Sequence, residues 1–328
     1  MPVCHASLQE MSQEGYAPRY RQELAGGRGS FPYRLDFRRS DLQLVRVQDS
    51  GRMSISGVQD KVQLRLEKGR LELTESGGEF LLKPIPSTPL LHVQDVPANE
   101  HLCMQLARQV FGIETPPNAL VLLADGEPAY LVRRYDRAAP TSDGKLHQED
   151  LAQVMGRSTD SPNWKYQGSY EEMAVAIRLS CPAVLVSLER LWQRIVFCFA
   201  ISNGDAHWKN FSVLEDPTAS GYQLAPAYDL LATSIHFPTE SPLALDLFQG
   251  GELSASFDAL GYWTGTDFLE LARRWSLPME RSRRWLESRL QRLSEAHELI
   301  GRSFLSEANR QAFWTRYQDR VRALGQIG

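Results

Sequence analysis

Eight consecutive residues, Asn203-Gly204-Asp205-Ala206-His207-Trp208-Lys209-Asn210, interrupt an otherwise apolar stretch and constrain the fold more than any other part of the chain. On the upstream side Leu188, Leu191, Trp192, Ile195, Val196 and Phe199 recur at helical spacing, which predicts a buried helix. On the downstream side Phe211-Ser212-Val213-Leu214 predicts a short strand, and Tyr228-Asp229-Leu230 follows after another turn. A polar loop anchored at both ends in apolar elements presents its side chains from a rigid scaffold, the setting in which loops carry chemistry.

The chemistry those side chains suit is phosphoryl transfer. An Asp, an Asn five positions later and a second Asp roughly twenty residues beyond supply a base and two Mg²⁺ ligands around a nucleotide. The transferred phosphoryl carries its charge on peripheral oxygens, so such sites work by positioning and by cationic neutralisation. Asn210 and Asp229 offer the hard oxygens Mg²⁺ prefers, leaving Asp205 to orient an acceptor hydroxyl and take its proton. Taken singly, Asn-Gly-Asp reads as a turn and Asp229 as a helix cap. Their combination predicts a kinase.

Elements upstream fit that reading. Met53-Ser54-Ile55-Ser56-Gly57-Val58-Gln59-Asp60-Lys61 opens onto the alternating strand Val62–Leu66, a turn suited to covering phosphates. It is neither a P-loop nor the glycine-rich loop of ordinary protein kinases, and a plain hairpin turn is the alternative. Phe80-Leu81-Leu82-Lys83-Pro84 ends an apolar strand on a lysine. Asn99-Glu100-His101 opens an amphipathic run through Leu102, Leu106, Ala107 and Val110, which places Glu100 on the first turn of a helix. Two readings of Glu100 stay open, an ion pair with Lys83 and a favourable charge at the helix N-terminus. Ala119–Leu123 and Ala129–Val132 flank Asp125-Gly126 as a hairpin. Beyond Arg137 helical patterns dominate, over Glu149–Val154, Tyr170–Ile177, Leu188–Ala200, Phe268–Trp275, Arg281–Ile300 and Ser306–Leu324. The expected fold class is α+β in two lobes, with residues 1–137 as a β-rich N-lobe and 138–328 as a mostly helical C-lobe. Pro238, Pro242 and Gly250-Gly251 mark a surface excursion after Asp229, the expected place of an activation-like or partner-binding segment.

The ordered series Ser54–Lys61, Leu82-Lys83-Pro84, Asn99-Glu100, Tyr135-Asp136-Arg137, Gln148-Glu149-Asp150, Asn203–Asn210 and Tyr228-Asp229-Leu230 resembles the motifs of HipA-like serine/threonine kinases, toxins of bacterial HipB/HipA-type toxin–antitoxin systems. The resemblance implies ATP and Mg²⁺ as cofactors and a two-lobed kinase-like fold. It implies that Asp205 is the catalytic base in a loop shared with His207 and Lys209, and that Asn210 and Asp229 bind Mg²⁺. His207 stands where ordinary protein kinases carry a lysine, as in lipid kinases. The nucleotide would be held by Lys83, which contacts phosphates, by Glu100, Arg133 and Tyr135, and by the loop residues Ser54, Ile55, Ser56, Gly57, Val58, Gln59 and Lys61. Ser54 and Ser56 are the implied autophosphorylation sites, a change that would eject the loop by charge repulsion. Only about fifty residues precede that loop, so the chain resembles the short form, HipT, whose missing N-terminal part is the separate protein HipS. A HipB-like DNA-binding antitoxin, a HipS-like protein and an aminoacyl-tRNA synthetase substrate, with the tryptophan enzyme foremost, are the implied partners. Arg133 departs from the family, which usually has an acidic residue there.

Composition narrows the alternatives. A formal net charge of -4 argues against a nucleic-acid-binding surface over the whole protein. Late basic residues, Arg273, Arg274, Arg281, Arg283, Arg284, Arg289 and Arg292, interleave with Glu280, Glu287 and Glu295 and read as a solvated helix face. Cys4, Cys103, Cys181 and Cys198 have no metal-ligand spacing and suit a reducing compartment. No apolar run reaches membrane-span length and the N-terminus reads as no signal peptide, so a cytoplasmic location is expected. A lipid or small-molecule kinase and a partner-sequestering pseudokinase are the competing readings.

Overall fold

The computed structural model describes residues 1–42, 60–137, 144–161, 163–218 and 220–328. Ser54, Ile55, Ser56, Gly57, Val58 and Gln59 lie outside the described residues.

Five antiparallel strands build the N-lobe sheet: β1 (Val62–Glu67), β2 (Arg70–Thr74), β3 (Phe80–Pro84), β4 (Asn118–Leu122) and β5 (Pro128–Arg133), in the order β2-β1-β3-β5-β4. In β1, Leu64 and Leu66 are buried while Arg65 and Glu67 are exposed, the period-two pattern of a sheet with one covered face. The β1–β2 turn is made by Lys68 and Gly69, both at positive φ, which matches the twist of a two-residue hairpin. β3 is central, paired to β1 on one side and β5 on the other. Residues 1–42, with helix α1 (Pro18–Ala25), belong to the same lobe, because Cys4, Ala6, Leu24, Phe31 and Leu35 share a core with Leu64, Phe80, Leu82 and Val121. They also cover the outer edge of β4, where Leu120 N–H donates to His5 O at 2.8 Å and Leu122 N–H to Tyr33 O at 2.8 Å. An edge strand is thereby paired rather than left open.

The next helix, α2 (Val96–Leu106), runs into a wider turn over Ala107–Phe111 and stops at Gly112, whose φ of 68° suits glycine. It starts three residues before the Asn99 expected from the sequence. Pro97 is the reason: its fixed φ and missing N–H suit a first turn. Glu100 therefore lies beyond the first turn, so the N-terminal charge reading falls. Every residue of α2 is buried, and Leu102, Leu106 and Ala107 join the core of the C-lobe while the helix also contacts β4 and β5. The two lobes thus share one helix.

In the C-lobe a three-stranded antiparallel sheet, β6 (Gln148–Asp150), β7 (Ser212–Glu215) and β8 (Tyr222–Leu224), lies beside helices α3 (Leu151–Val154), α4 (Met173–Ser180) and α5 (Val184–Ala200). Glu149 and Asp150, expected in a helix, are instead strand residues, and Asp150 caps α3 by accepting from Gln153 N–H at 2.8 Å. Helix α5 is the predicted apolar helix. Its Trp192 is fully buried with Nε1 donating to Phe268 O at 2.7 Å, so truncation to Ala is expected to cost roughly 3–5 kcal/mol. The chain closes with α6 (Ala255–Leu260), α7 (Gly265–Arg274), α8 (Met279–Leu290), α9 (Leu293–Gly301) and α10 (Glu307–Leu324). The single helix expected over Arg281–Ile300 divides at Gln291-Arg292, where Arg292 Nη1 donates to Val110 O at 2.7 Å and Nε to Glu295 Oε1 at 2.8 Å. The late arginines are largely paired: Arg274 with Glu171, Glu252 and Glu270, and Arg281 with Glu189.

Candidate active site

Lys83 lies near the end of the central strand, buried, and its direction is fixed by that strand's place between two neighbours. Its Nζ is 2.6 Å from Glu100 Oε1 on α2 and also hydrogen-bonds Asp229 Oδ1 of the C-lobe. Burial opposes the ammonium charge, but the carboxylates of Asp229 and Glu100 outweigh it and raise the lysine above its usual pKa. For Asp229 burial acts in the opposite direction and would push its pKa up. Lys83, and then Lys61, hold its carboxyl below the ordinary range. Asp229 has a φ of 52°, a left-handed conformation that Asp tolerates better than most residues. These three side chains join a strand, a helix and a C-lobe loop, and they edge a cavity of about 290 Å³ also lined by Lys61, Tyr130, Arg133 and Tyr135.

Five of the nucleotide-site residues expected from sequence, Lys61, Lys83, Glu100, Arg133 and Tyr135, therefore meet around one cavity. Tyr135 stacks on Tyr228 at 6.1 Å between ring centroids. Arg133 is tied backwards, with Nη1 donating to Glu23 O at 3.1 Å beside Gly26. A Cβ at Gly26 would lie 2.5 Å from that guanidinium, so the end of α1 is shaped around Arg133.

The catalytic-loop residues form the adjoining group. Asn210 Nδ2 donates to Asp205 O at 3.1 Å, Asp205 N–H donates to Asn203 Oδ1 at 3.2 Å, and His207 Nε2 is 3.7 Å from Asp205 Oδ1. Tyr228, beside Asp229, donates from its hydroxyl to Lys209 O at 2.9 Å and so ties the two motifs together. The Lys209 ammonium is 5.9 Å from the Trp164 ring centroid. His207 is buried, and burial followed by the charge of Lys165 pushes its pKa down to about 3. It is therefore a neutral imidazole near pH 7. Gly204 N–H donates to Thr233 Oγ1 at 2.8 Å, and a Cβ at Gly204 would meet Ser241 O at 2.4 Å. The excursion after Asp229 thus packs directly on the catalytic loop, and Asn203 bridges to Leu243.

Three contributors escaped the sequence reading. Tyr166 donates from its hydroxyl to Asp205 Oδ1 at 2.5 Å, Lys165 is buried close enough to act on His207, and Thr233 braces the loop. Trp164-Lys165-Tyr166 was open to notice as an aromatic and basic tripeptide, but no spacing tied it to a loop some forty residues later.

The donor set suits a nucleotide and Mg²⁺. Both ring nitrogens of His207 are buried without a hydrogen-bond partner among the described residues, beside Asp205. Asn210 and Asp229 supply an amide oxygen and a carboxylate, and among the described residues no group of three His, Cys, Asp or Glu side chains forms a metal cage. Magnesium held by few protein oxygens ordinarily completes its shell with water and phosphate.

A β-rich lobe joined to a helical lobe, with a buried Lys–Glu–Asp linkage between them, defines a protein of the kinase-like class. The chain belongs to the family described as HipA-like C-terminal domain, whose model matches residues 53–298. It is 31% identical over 254 residues to the Haemophilus influenzae protein named "Putative kinase", covering 72% of this chain and 71% of that one. It is 33% identical over 231 residues to "Putative kinase Y4mE" of Sinorhizobium fredii, covering 67% of this chain and 52% of the relative. Its fold is similar to Shewanella oneidensis HipA, solved with HipB and operator DNA, at a TM-score of 0.60 and 22% identity over 83% of this chain and 64% of that one. The Helicobacter pylori proinflammatory kinase CtkA gives a TM-score of 0.53 at 13% identity, covering 81% and 90%. Among the described residues no helix is long and apolar enough to cross a membrane, and all four cysteines are free and buried.

Proposed function

We propose that the protein is an ATP- and Mg²⁺-dependent serine/threonine protein kinase acting as the toxin of a HipBA- or HipBST-type toxin–antitoxin system. The observation that carries this reading is the pairing of Lys83 with both Glu100 and Asp229 across the lobes, beside a loop that holds Asp205 and Asn210 together. Lys83 would orient and neutralise phosphate, Glu100 fixes the lysine, and Asp229 with Asn210 would hold the metal. Bound Mg–ATP supplies the transferable phosphoryl group and neutralises its charge. Asp205 orients the acceptor hydroxyl and accepts its proton. Neutral His207 donates or accepts a hydrogen bond without adding charge.

An aminoacyl-tRNA synthetase, with the tryptophan enzyme first, is the proposed target. A HipB-like antitoxin and a HipS-like protein are the proposed partners, with Ser54 and Ser56 as self-phosphorylation sites and the cytoplasm as the location. Support for the antitoxin is the family membership together with the HipB-bound state of the Shewanella neighbour. The test is incubation with γ-labelled ATP and Mg²⁺ in a cell extract, followed by mass spectrometry. Label on a synthetase supports the reading; label confined to lipids or small metabolites would replace it with the competing kinase class.

A further inference from the structure

We infer that Tyr166 is a positioning residue for phosphoryl transfer, a hydroxyl strut that sets the plane of the Asp205 carboxylate. The inference rests on the reading of Asp205 as the base.

An aspartate carboxylate turns easily about its terminal torsion, which has a broad preference, so a base is well aimed only when one of its oxygens is held. Tyr166 does this, its hydroxyl 2.5 Å from Asp205 Oδ1, the same oxygen that faces His207 Nε2 at 3.7 Å. Tyr166 and His207 therefore both lie at this one oxygen, and holding it sets the orientation of the carboxylate. A hydroxyl donating to a carboxylate makes a charge-assisted hydrogen bond, stronger than a neutral one.

The strut is itself rigid. The Tyr166 ring packs edge-on against the His207 ring, with centroids 5.0 Å apart and an interplanar angle of 71°. The next residue is clamped to the catalytic loop, since Gln167 O accepts from Trp208 Nε1 at 2.9 Å and from Arg157 Nη2 at 2.7 Å. The Arg157 guanidinium also lies 4.3 Å from the Trp208 ring centroid. One ring contact to His207 and two hydrogen bonds on the next residue place the hydroxyl before any substrate arrives, which is the condition for a positioning group. Tyr166 transfers no proton in this scheme; the acceptor's proton goes to Asp205 and the leaving oxygen departs with ADP.

The experiment compares wild type, Tyr166→Phe and Asp205→Asn in self-labelling by γ-labelled ATP with Mg²⁺ over a range of ATP concentrations, with the melting temperature of each. The Phe variant keeps the ring against His207 and loses only the hydroxyl. Its maximal rate is expected to fall roughly 10–100-fold, while half-saturating ATP stays within about twofold, because the hydroxyl does not line the nucleotide cavity. Its melting temperature should fall by only a few degrees, since one hydrogen bond to a charged group is lost while the ring packing is kept. An unchanged maximal rate in Tyr166→Phe with an inactive Asp205→Asn overturns the strut and leaves the base standing. A raised ATP requirement at unchanged maximal rate also overturns it. A fully active Asp205→Asn overturns the base reading itself.

Discussion

The two carboxylates at the centre of the site are held in opposite ways. Asp229 is bound across the lobes, by an ammonium that arrives on β3 and is shared with α2. Among the described residues Asp205 is bound within one lobe, its carboxylate by Tyr166 and its backbone by Asn203 and Asn210. The difference separates two tasks. Any shift of the lobes changes the company of Asp229, one oxygen of which is tied to Lys83. The described partners of Asp205 all come from the C-lobe, so these contacts do not depend on where the N-lobe sits.

Substitutions on the cross-lobe side should therefore alter nucleotide and metal handling together, and the largest effect is expected at Asp229. Asp229→Asn removes a charged metal donor and should lower phosphoryl transfer by about 10²–10³-fold. The stimulation of ATP binding by Mg²⁺, followed calorimetrically, should vanish with it; an intact stimulation would remove Asp229 from the metal site. Lys83→Met leaves two carboxylates facing each other without their cation. It should cost roughly 3–5 kcal/mol of stability in denaturant titrations as well as ATP affinity. Glu100→Gln keeps the shape and loses one charge, so a smaller cost of about 1–3 kcal/mol is expected. Combined with Lys83→Met it should cost less than the sum of the two, because both report one interaction. Additive losses would mean that the pair does not act as a unit.

A gradual effect is expected from pH. His101 on α2 donates from Nε2 to Ala6 O at 3.2 Å, and burial drives its pKa down to about 3. Between that value and the ordinary histidine range the unfolded chain binds a proton that the folded chain refuses. Stability is therefore complete above about pH 6.5 and declines as pH falls through this window, by at most about 1.4 kcal/mol per unit for this group. His101→Gln should flatten the slope measured by thermal unfolding between pH 7 and pH 5. An unchanged slope would assign the acid sensitivity to other groups.

How much of this was legible in sequence follows the same division. The helix α5 and the strands around Lys83 were readable because periodicity reports burial directly, as Leu188, Trp192 and Ile195 illustrate. The catalytic loop was readable because its donors are close together in the chain. Glu100 was found as a candidate but misplaced by a turn, since Pro97 rather than the first polar residue sets the start of α2. Tyr166 was out of reach. Its partner is 39 positions away, and contacts of that kind depend on how Gln167 and Trp208 fold together rather than on any local pattern. The cover given to β4 by residues 1–42 was missed for the same reason: backbone pairing at a sheet edge carries little side-chain signature.

The most direct test of the account is self-labelling of purified wild type and Asp205→Ala by γ-labelled ATP and Mg²⁺, with the labelled residues located by mass spectrometry. The account predicts label on serine or threonine in wild type and a loss of roughly 10²–10⁴-fold in the variant, with ATP binding retained in both. Equal labelling of the two proteins, or nucleotide binding without any transfer in wild type, would contradict it.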